Sequence, residues 1–229
     1  MKISLNNTQI KYIAVSSMTI DHTAIILQHH IPDNTYEIMR NIGRIAYPIF
    51  IYMLVEGFFK THDRKKYLTR LALFACLAEP ACDLFRSQKL LEFTKQNVIF
   101  GLLLGVIAML LLDTDTISGI FFACTIPFLA LLGNVEYGGF GVLTICTMYY
   151  VAKENKGNIC QASLPQLVLG FLPLMIYSIN CPSELYFLIA IPILLCYNGK
   201  KGNSSRYFFY LYYPLHKLAL AYISYICFR

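Results

Sequence analysis

Charge is scarce in this sequence, and what there is avoids the long apolar stretches. Asp, Glu, Lys and Arg make up 14% of the 229 residues against 57% hydrophobic, and the mean hydropathy is +0.54. Soluble domains rarely exceed about half apolar. The balance therefore excludes an ordinary soluble domain and points to an integral membrane protein, read as one transmembrane domain over residues 1–229. Paired cysteines are missing too. Cys76, Cys82, Cys124, Cys146, Cys160, Cys181, Cys196 and Cys227 are scattered with no C-x-x-C, which argues against a zinc site and a disulfide framework. Most lie in apolar runs, where they act as small hydrophobes. The tract His29-His30 is too short for a metal site, and no metal is expected. No small-residue cleavage site follows the first apolar segment, so it is expected to be a retained helix and not a signal peptide. The net charge of +6 does not indicate nucleic acid, because the basic residues gather between apolar segments.

What is present is a succession of apolar runs separated by turn signals. They give an all-α polytopic fold with about nine spans: 10–27, 42–59, 67–82, 97–112, 117–132, 140–152, 165–179, 183–196 and 207–228. Several fall short of the usual ~20 residues, so some helices are expected to tilt or stop part-way. The densest basic cluster, residues 60–70, is placed in the cytosol by the positive-inside rule. Alternation then puts Lys153, Lys156, Lys200, Lys201 and Arg206 inside as well, with the N-terminus inside and the C-terminus outside. Arg86, Lys89 and Lys95 fall outside and are the exception.

Two histidines lie deep in this arrangement. His22, beside Asp21, and His216 are each about ten residues into their segments, roughly 15 Å at the helical rise. That is half of a hydrocarbon core about 30 Å thick. An ionisable group at that depth normally faces a bundle interior or wet cavity and marks a functional site. A pair of hydrogen-bonded structural histidines is the plainer alternative. Adjacent helical residues point about 100° apart, so Asp21 and His22 are not a dyad by spacing alone. The carboxylate that orients His22 is expected from another helix, with Glu79 a candidate, or from Asp21 through a bend or rotamer. A neutral imidazole in a partly desolvated cavity suits proton abstraction from an amine or hydroxyl. Arg44, Glu79, Asp83, Asn97 and Glu136 are expected to line one outward-opening cavity above the two histidines. Glu79 and Asp83 share a helix face, with Arg44 as the cation that joins them, or else as a structural lock. Pro80 should bend their helix. The aromatic run 207–213, Tyr213 included, either stacks a ligand or anchors the helix at the interface. The basic residues Arg64, Lys65, Lys66, Lys200 and Lys201 are suited to holding phosphates, although topology alone also accounts for them.

These residues resemble a known family. Asp21-His22 follows a Lys-Tyr-Ile-Ala start, and Gly43-Arg44-Ile-Ala-Tyr-Pro-Ile-Phe50 runs into Glu56-Gly-Phe-Phe59. Lys65-Lys-Tyr-Leu-Thr-Arg70, Glu79-Pro-Ala-Cys-Asp83 and Asn97-Val come next. Glu136-Tyr-Gly-Gly-Phe-Gly141, Tyr197-Asn-Gly-Lys200 and Phe208-Phe-Tyr-Leu-Tyr-Tyr-Pro-Leu-His216 complete the set. The chain thus resembles, over nearly its whole length, the TraX family of bacterial inner-membrane proteins. Its named member acetylates the N-terminus of F-type conjugative pilin. The resemblance implies transfer of an acetyl group from cytosolic acetyl-CoA, as cosubstrate and not as a bound cofactor. The acceptor would be an amine or hydroxyl of a pilin-like or other envelope molecule at the outer half of the membrane. His22 is the expected general base, with Asp21, Arg44, Glu79 and His216 orienting it, stabilising charge or positioning the acceptor. The rivals are a proton-coupled transporter, less favoured because no inverted repeat is visible, and an envelope assembly factor without chemistry of its own.

Overall fold

The computed structural model describes residues 4–203 and 206–227, with 206 and 207 described by backbone alone. The end of the last expected span at 228, and the side chain that opens it, lie outside the described residues. The described chain is helical and contains no strand, only the isolated bridges Leu5–Tyr197 and Gln96–Val135.

The helices begin where local chemistry satisfies their free N–H groups. α1 (Asn7–Leu27) opens on a reciprocal box: Gln9 N–H donates to Asn6 Oδ1 at 3.0 Å, and Asn6 N–H donates to Gln9 Oε1 at 2.9 Å. α2 (Asp33–Gly43) follows Pro32, with Asp33 in its first turn and Arg40 in its last, the arrangement the helix dipole favours. α3 (Ala46–Lys60) and α4 (Arg64–Ser87) come next, and α4 runs through Pro80 without ending. α5 (Val98–Leu112) and α6 (Ile117–Leu132) are capped by Asn97 and Thr116, which accept from Ile99 N–H and Gly119 N–H. α7 (Gly138–Glu154) follows a turn in which Tyr137 and Gly138 both have positive φ. The remainder is shorter: α8 (Leu164–Gly170), α9 (Leu172–Tyr177), a 3-10 helix Pro182–Ile189, α10 (Ala190–Leu195), and the long α11 (Arg206–Cys227).

The expected spans map closely onto these elements, with three differences. Residues 33–43 form α2 instead of a connector, the 165–179 run breaks into two short helices, and the first half of 183–196 winds as a 3-10 helix before α10. By length and apolarity together, the one described stretch that suffices to cross a membrane is Asp33–Lys60, 28 residues. Val98–Leu112, Ile117–Leu132 and Pro182–Leu195 are apolar but shorter, so the expected nine crossings are matched on this criterion by one.

The chain divides into two compact units: Met1–Phe50 with Pro80–Leu90 and Ser178–Arg229, and Ile51–Glu79 with Leu91–Tyr177. The first is organised by α1 against α2 and α11, with the 3-10 helix against α2 and α10. The second is organised by α7 against α5, α6, α8 and α9. Its core includes Val106, Met109, Ile145, Met148 and Phe171. Gly105 lets α5 approach α7 closely, since a Cβ there would lie 2.3 Å from Ile145 Cδ1. Burial is distributed in a way unusual for a water-soluble protein. Glu56, Asp83, Asn97 and Lys217 are buried, whereas Ile117, Phe121, Phe122, Phe128, Leu131 and Leu132 of α6 and Leu211, Leu215, Tyr222 and Ile226 of α11 are exposed.

Candidate active site

The first unit brings the two histidines into contact. His22 Nδ1 lies 2.7 Å from His216 Nε2, and the rings are nearly parallel (12°) with centroids 5.0 Å apart. The other nitrogen of His216, Nδ1, lies 2.8 Å from the carbonyl oxygen of Tyr212, one turn earlier on α11. A carbonyl only accepts, so His216 Nδ1 carries the proton and donates it. With both imidazoles neutral, His216 Nε2 is then a bare acceptor, and His22 Nδ1–H donates to it. That leaves the lone pair of His22 on Nε2. A backbone carbonyl of α11 thus sets the tautomers of both rings, and His22 Nε2 is the basic nitrogen.

α1 and α11 hold the pair from the side. Thr19 Oγ1–H donates to the Val15 carbonyl at 2.8 Å, so the Tyr212 hydroxyl, 2.6 Å away, donates to Thr19 Oγ1. The Tyr212 ring lies nearly parallel to His216 (11°), with centroids 5.1 Å apart. Phe85, on the C-terminal part of α4, packs against His22 with centroids 5.2 Å apart. Tyr213 lies edge-on to His216, and its hydroxyl is 3.5 Å from Cys82 Sγ. An open cleft of about 420 Å³ is lined by Phe208, Leu211, Tyr212, Leu215 and His216.

The carboxylates take partners other than those expected. Asp21 pairs with Arg40 of α2 at 2.8 Å, and so does not turn to His22. Arg44 pairs with Glu184 of the 3-10 helix at 3.0 Å, both side chains about one-seventh exposed. Asp83 is 3.8 Å from Arg86. The contact to His22 that was expected from a carboxylate is made by an imidazole. Arg40, Phe85, Glu184 and Lys217 were missed, and Tyr212 was singled out only as part of the aromatic run 207–213. Arg40 sits in a segment too polar to register as a span, and Glu184 lies at the start of the expected span 183–196, where its acid group was not singled out. Lys217, next to His216, was the one discoverable signal: a second ionisable group at mid-segment depth.

Asp21 also reports how α1 and α2 meet. A Cβ on Gly43 would lie 2.3 Å from both Cβ and Oδ1 of Asp21. Ser17 Oγ–H donates to the Ile42 carbonyl at 2.5 Å on the same seam. Gly43→Ala therefore forces the helices apart beside the histidine pair. Overpacking of this kind costs typically about 1–3 kcal/mol, so the thermal midpoint in detergent should fall by several degrees, with activity lost at temperatures the wild type tolerates. An unchanged midpoint would contradict the close packing.

In the second unit the expected residues do different work. Asn97, fully buried, donates to Glu79 Oε2 and to the Ala75 carbonyl while capping α5, and its backbone N–H reaches Glu79 Oε2 at 3.1 Å. Glu136 is half-buried, and its backbone N–H donates to Gln96 O at 3.4 Å. Arg64 pairs with Asp113, which also accepts from the Tyr149 hydroxyl at 3.0 Å, and its guanidinium lies over Phe58 at 4.5 Å. Lys65 and Lys66 are exposed, as are Lys200 and Lys201 in the first unit, where the Lys200 and Lys201 carbonyls accept from Asn7 N–H and Thr8 Oγ1–H. Cys160 is no candidate nucleophile: burial, and then the nearby Glu56 carboxylate, push its thiol up to about 11.

Comparison with known proteins matches the family described as TraX protein over residues 6–224. The "Probable fimbrial assembly protein FimC, serogroup H1" of Dichelobacter nodosus is 30% identical over 236 residues, covering 93% of this chain and 93% of that one. "Uncharacterized protein RP591" of Rickettsia prowazekii (strain Madrid E) is 27% identical over 169 residues, 69% of this chain and 62% of that protein. No solved structure matches.

Proposed function

From the premise that the chain belongs to the TraX family, we propose that it is a membrane-embedded acetyltransferase acting on an envelope acceptor. The observation that carries this reading is the His22–His216–Tyr212 carbonyl chain, which presents an unprotonated Nε2 on His22. The acceptor amine or hydroxyl gives its proton to that nitrogen as it attacks the acetyl carbonyl. The imidazolium formed on His22 is stabilised because its Nδ1–H already donates to His216 Nε2. His216 and the Tyr212 carbonyl therefore play the orienting part that a carboxylate plays in other triads.

The fimbrial assembly role in the name of the Dichelobacter nodosus relative supports a pilin-like acceptor. The exposed apolar side chains of α6 and α11 support a multi-pass membrane protein, and the basic cluster at 60–70 supports a cytosolic N-terminus and an outer C-terminus. Acetyl-CoA is the donor, and the exposed Lys65 and Lys66 hold its phosphates.

Radiolabelled acetyl-CoA supplied to vesicles that expose the cytosolic face should transfer label to a peptide amine. Neutralising Lys65 and Lys66 together should raise KM for acetyl-CoA more than it lowers kcat, the pattern of lost ground-state binding. Solute flux with no dependence on CoA would instead indicate the transporter.

A further inference from the structure

Lys217 is buried, 4% exposed, one residue after His216 on α11. Its ammonium lies over two aromatic rings, 5.0 Å from the centroid of Tyr213 and 5.6 Å from that of Phe85. Those two rings also pack against the histidine pair, Phe85 on His22 and Tyr213 on His216. Among the described residues, no carboxylate, carbonyl or hydroxyl is within hydrogen-bonding or ion-pair distance of this ammonium. Three other cations near the site have carboxylate partners: Arg40 has Asp21, Arg44 has Glu184 and Arg86 has Asp83. The Lys217 side chain is thus buried among the described residues, and the two rings it contacts also contact the histidine pair. Burying a charge without an ionic partner is costly, and ring faces offset only part of the lost hydration. A protein retains such a group where an anion forms or binds.

We propose that Lys217 is a catalytic residue that holds the oxyanion formed during acetyl transfer, an inference that rests on the acetyltransferase reading above. The acceptor nitrogen's lone pair forms a bond to the thioester carbonyl carbon, and the π pair moves onto oxygen, where the Lys217 ammonium stabilises it. The proton released from nitrogen goes to His22 Nε2. Collapse restores the C=O bond and expels the CoA thiolate, which takes the proton back from His22 as a thiol. The products are the N-acetylated acceptor and free CoA, with His22 and Lys217 returned to their starting states. Aromatic walls suit this work, because a charge that forms only in the transition state is best met by a cation that water does not screen.

The test uses the full chain in lipid vesicles, with acetyl-CoA as donor and a peptide amine as acceptor. Lys217→Met keeps the length and apolar contacts of the side chain and removes its charge. It is expected to lower kcat by ~10²–10³-fold, the scale of a lost oxyanion donor, with little change in KM for either substrate. Its thermal midpoint should equal or exceed that of the wild type, since removal of an unmatched buried charge relieves the fold. Lys217→Arg, which restores the charge, should recover at least ~10-fold over Lys217→Met. A Lys217→Met protein within about threefold of wild-type kcat overturns the inference. So does a loss that appears in KM alone, which marks a ground-state anion, or one that tracks a lowered midpoint, which marks a structural lysine. A wild-type protein that transfers no acetyl group overturns the acetyltransferase reading and this inference together. An active wild type beside an active Lys217→Met overturns this inference alone.

Discussion

His22→Gln should leave a protein that inserts and survives detergent extraction, yet its transfer activity should fall by at least ~10²-fold, within the range typical of a general base. Glutamine keeps a hydrogen-bonding side chain of similar reach. Its amide can donate to His216 Nε2 as His22 Nδ1 does, at 2.7 Å in the wild type, but it cannot accept a proton near neutral pH. The loss should lie in kcat, with KM for acetyl-CoA unchanged, because the role proposed for His22 is on the acceptor proton and not on the donor's phosphates. His216→Ala should be damaging for a different reason. It removes the acceptor that fixes the His22 tautomer, so the Nε2 lone pair is presented only part of the time. Nitrogen-15 spectra of labelled protein report the difference directly: the wild type should show His22 protonated on Nδ1 and bare on Nε2. A proton on Nε2 of neutral His22 would remove the basis for its role.

The second large effect concerns stability. Arg44 and Glu184 pair at 3.0 Å with both side chains mostly enclosed. Removal of one partner from a buried pair costs about 3–5 kcal/mol, because the other charge is left without compensation. Arg44→Met alone should therefore lower the midpoint of unfolding sharply. Arg44→Met combined with Glu184→Leu should recover most of the loss, since apolar replacement of a whole buried pair is often neutral. The cycle also separates lock from ligand contact. If Arg44 touches the acceptor as well as Glu184, the double variant regains its midpoint and keeps a raised KM. Two single losses that merely add in the double variant would mean the pair is not coupled.

The fold was largely legible because its signal is long apolar runs, which need no tertiary information. The run at 117–132 coincides with α6, and the runs at 10–27 and 97–112 fall within three residues of α1 and α5. What stayed hidden were elements whose stability is not apolar. α2 carries Asp33, Asn34, Glu37, Arg40 and Asn41, and its partners on α1, Asp21 and Ser17, are tertiary. The 3-10 winding of Pro182–Ile189 has an apolar pattern no different from that of an α-helix. At the site, depth in the membrane identified His22 and His216, because the cost of an ionisable group there is a property of the residue alone. Which carboxylate meets which cation depends on how helices turn about their axes, and spacing along one helix says nothing of that. Hence Arg44 was matched to Glu79 or Asp83 when its partner is Glu184, and Glu79 to His22 when Asn97 engages it. The tautomer argument rests on the Tyr212 carbonyl, a backbone atom that no reading of side chains brings forward.

The central claim is that the chain moves an acetyl group onto an envelope molecule with His22 as base. Mass spectrometry of envelope proteins and glycans from three otherwise identical strains tests it most directly: one with the wild-type gene, one with the His22→Gln allele and one with the gene deleted. The account predicts a species heavier by one acetyl group in the wild type, with the unmodified form in the other two. Identical acetylation in all three strains would contradict it.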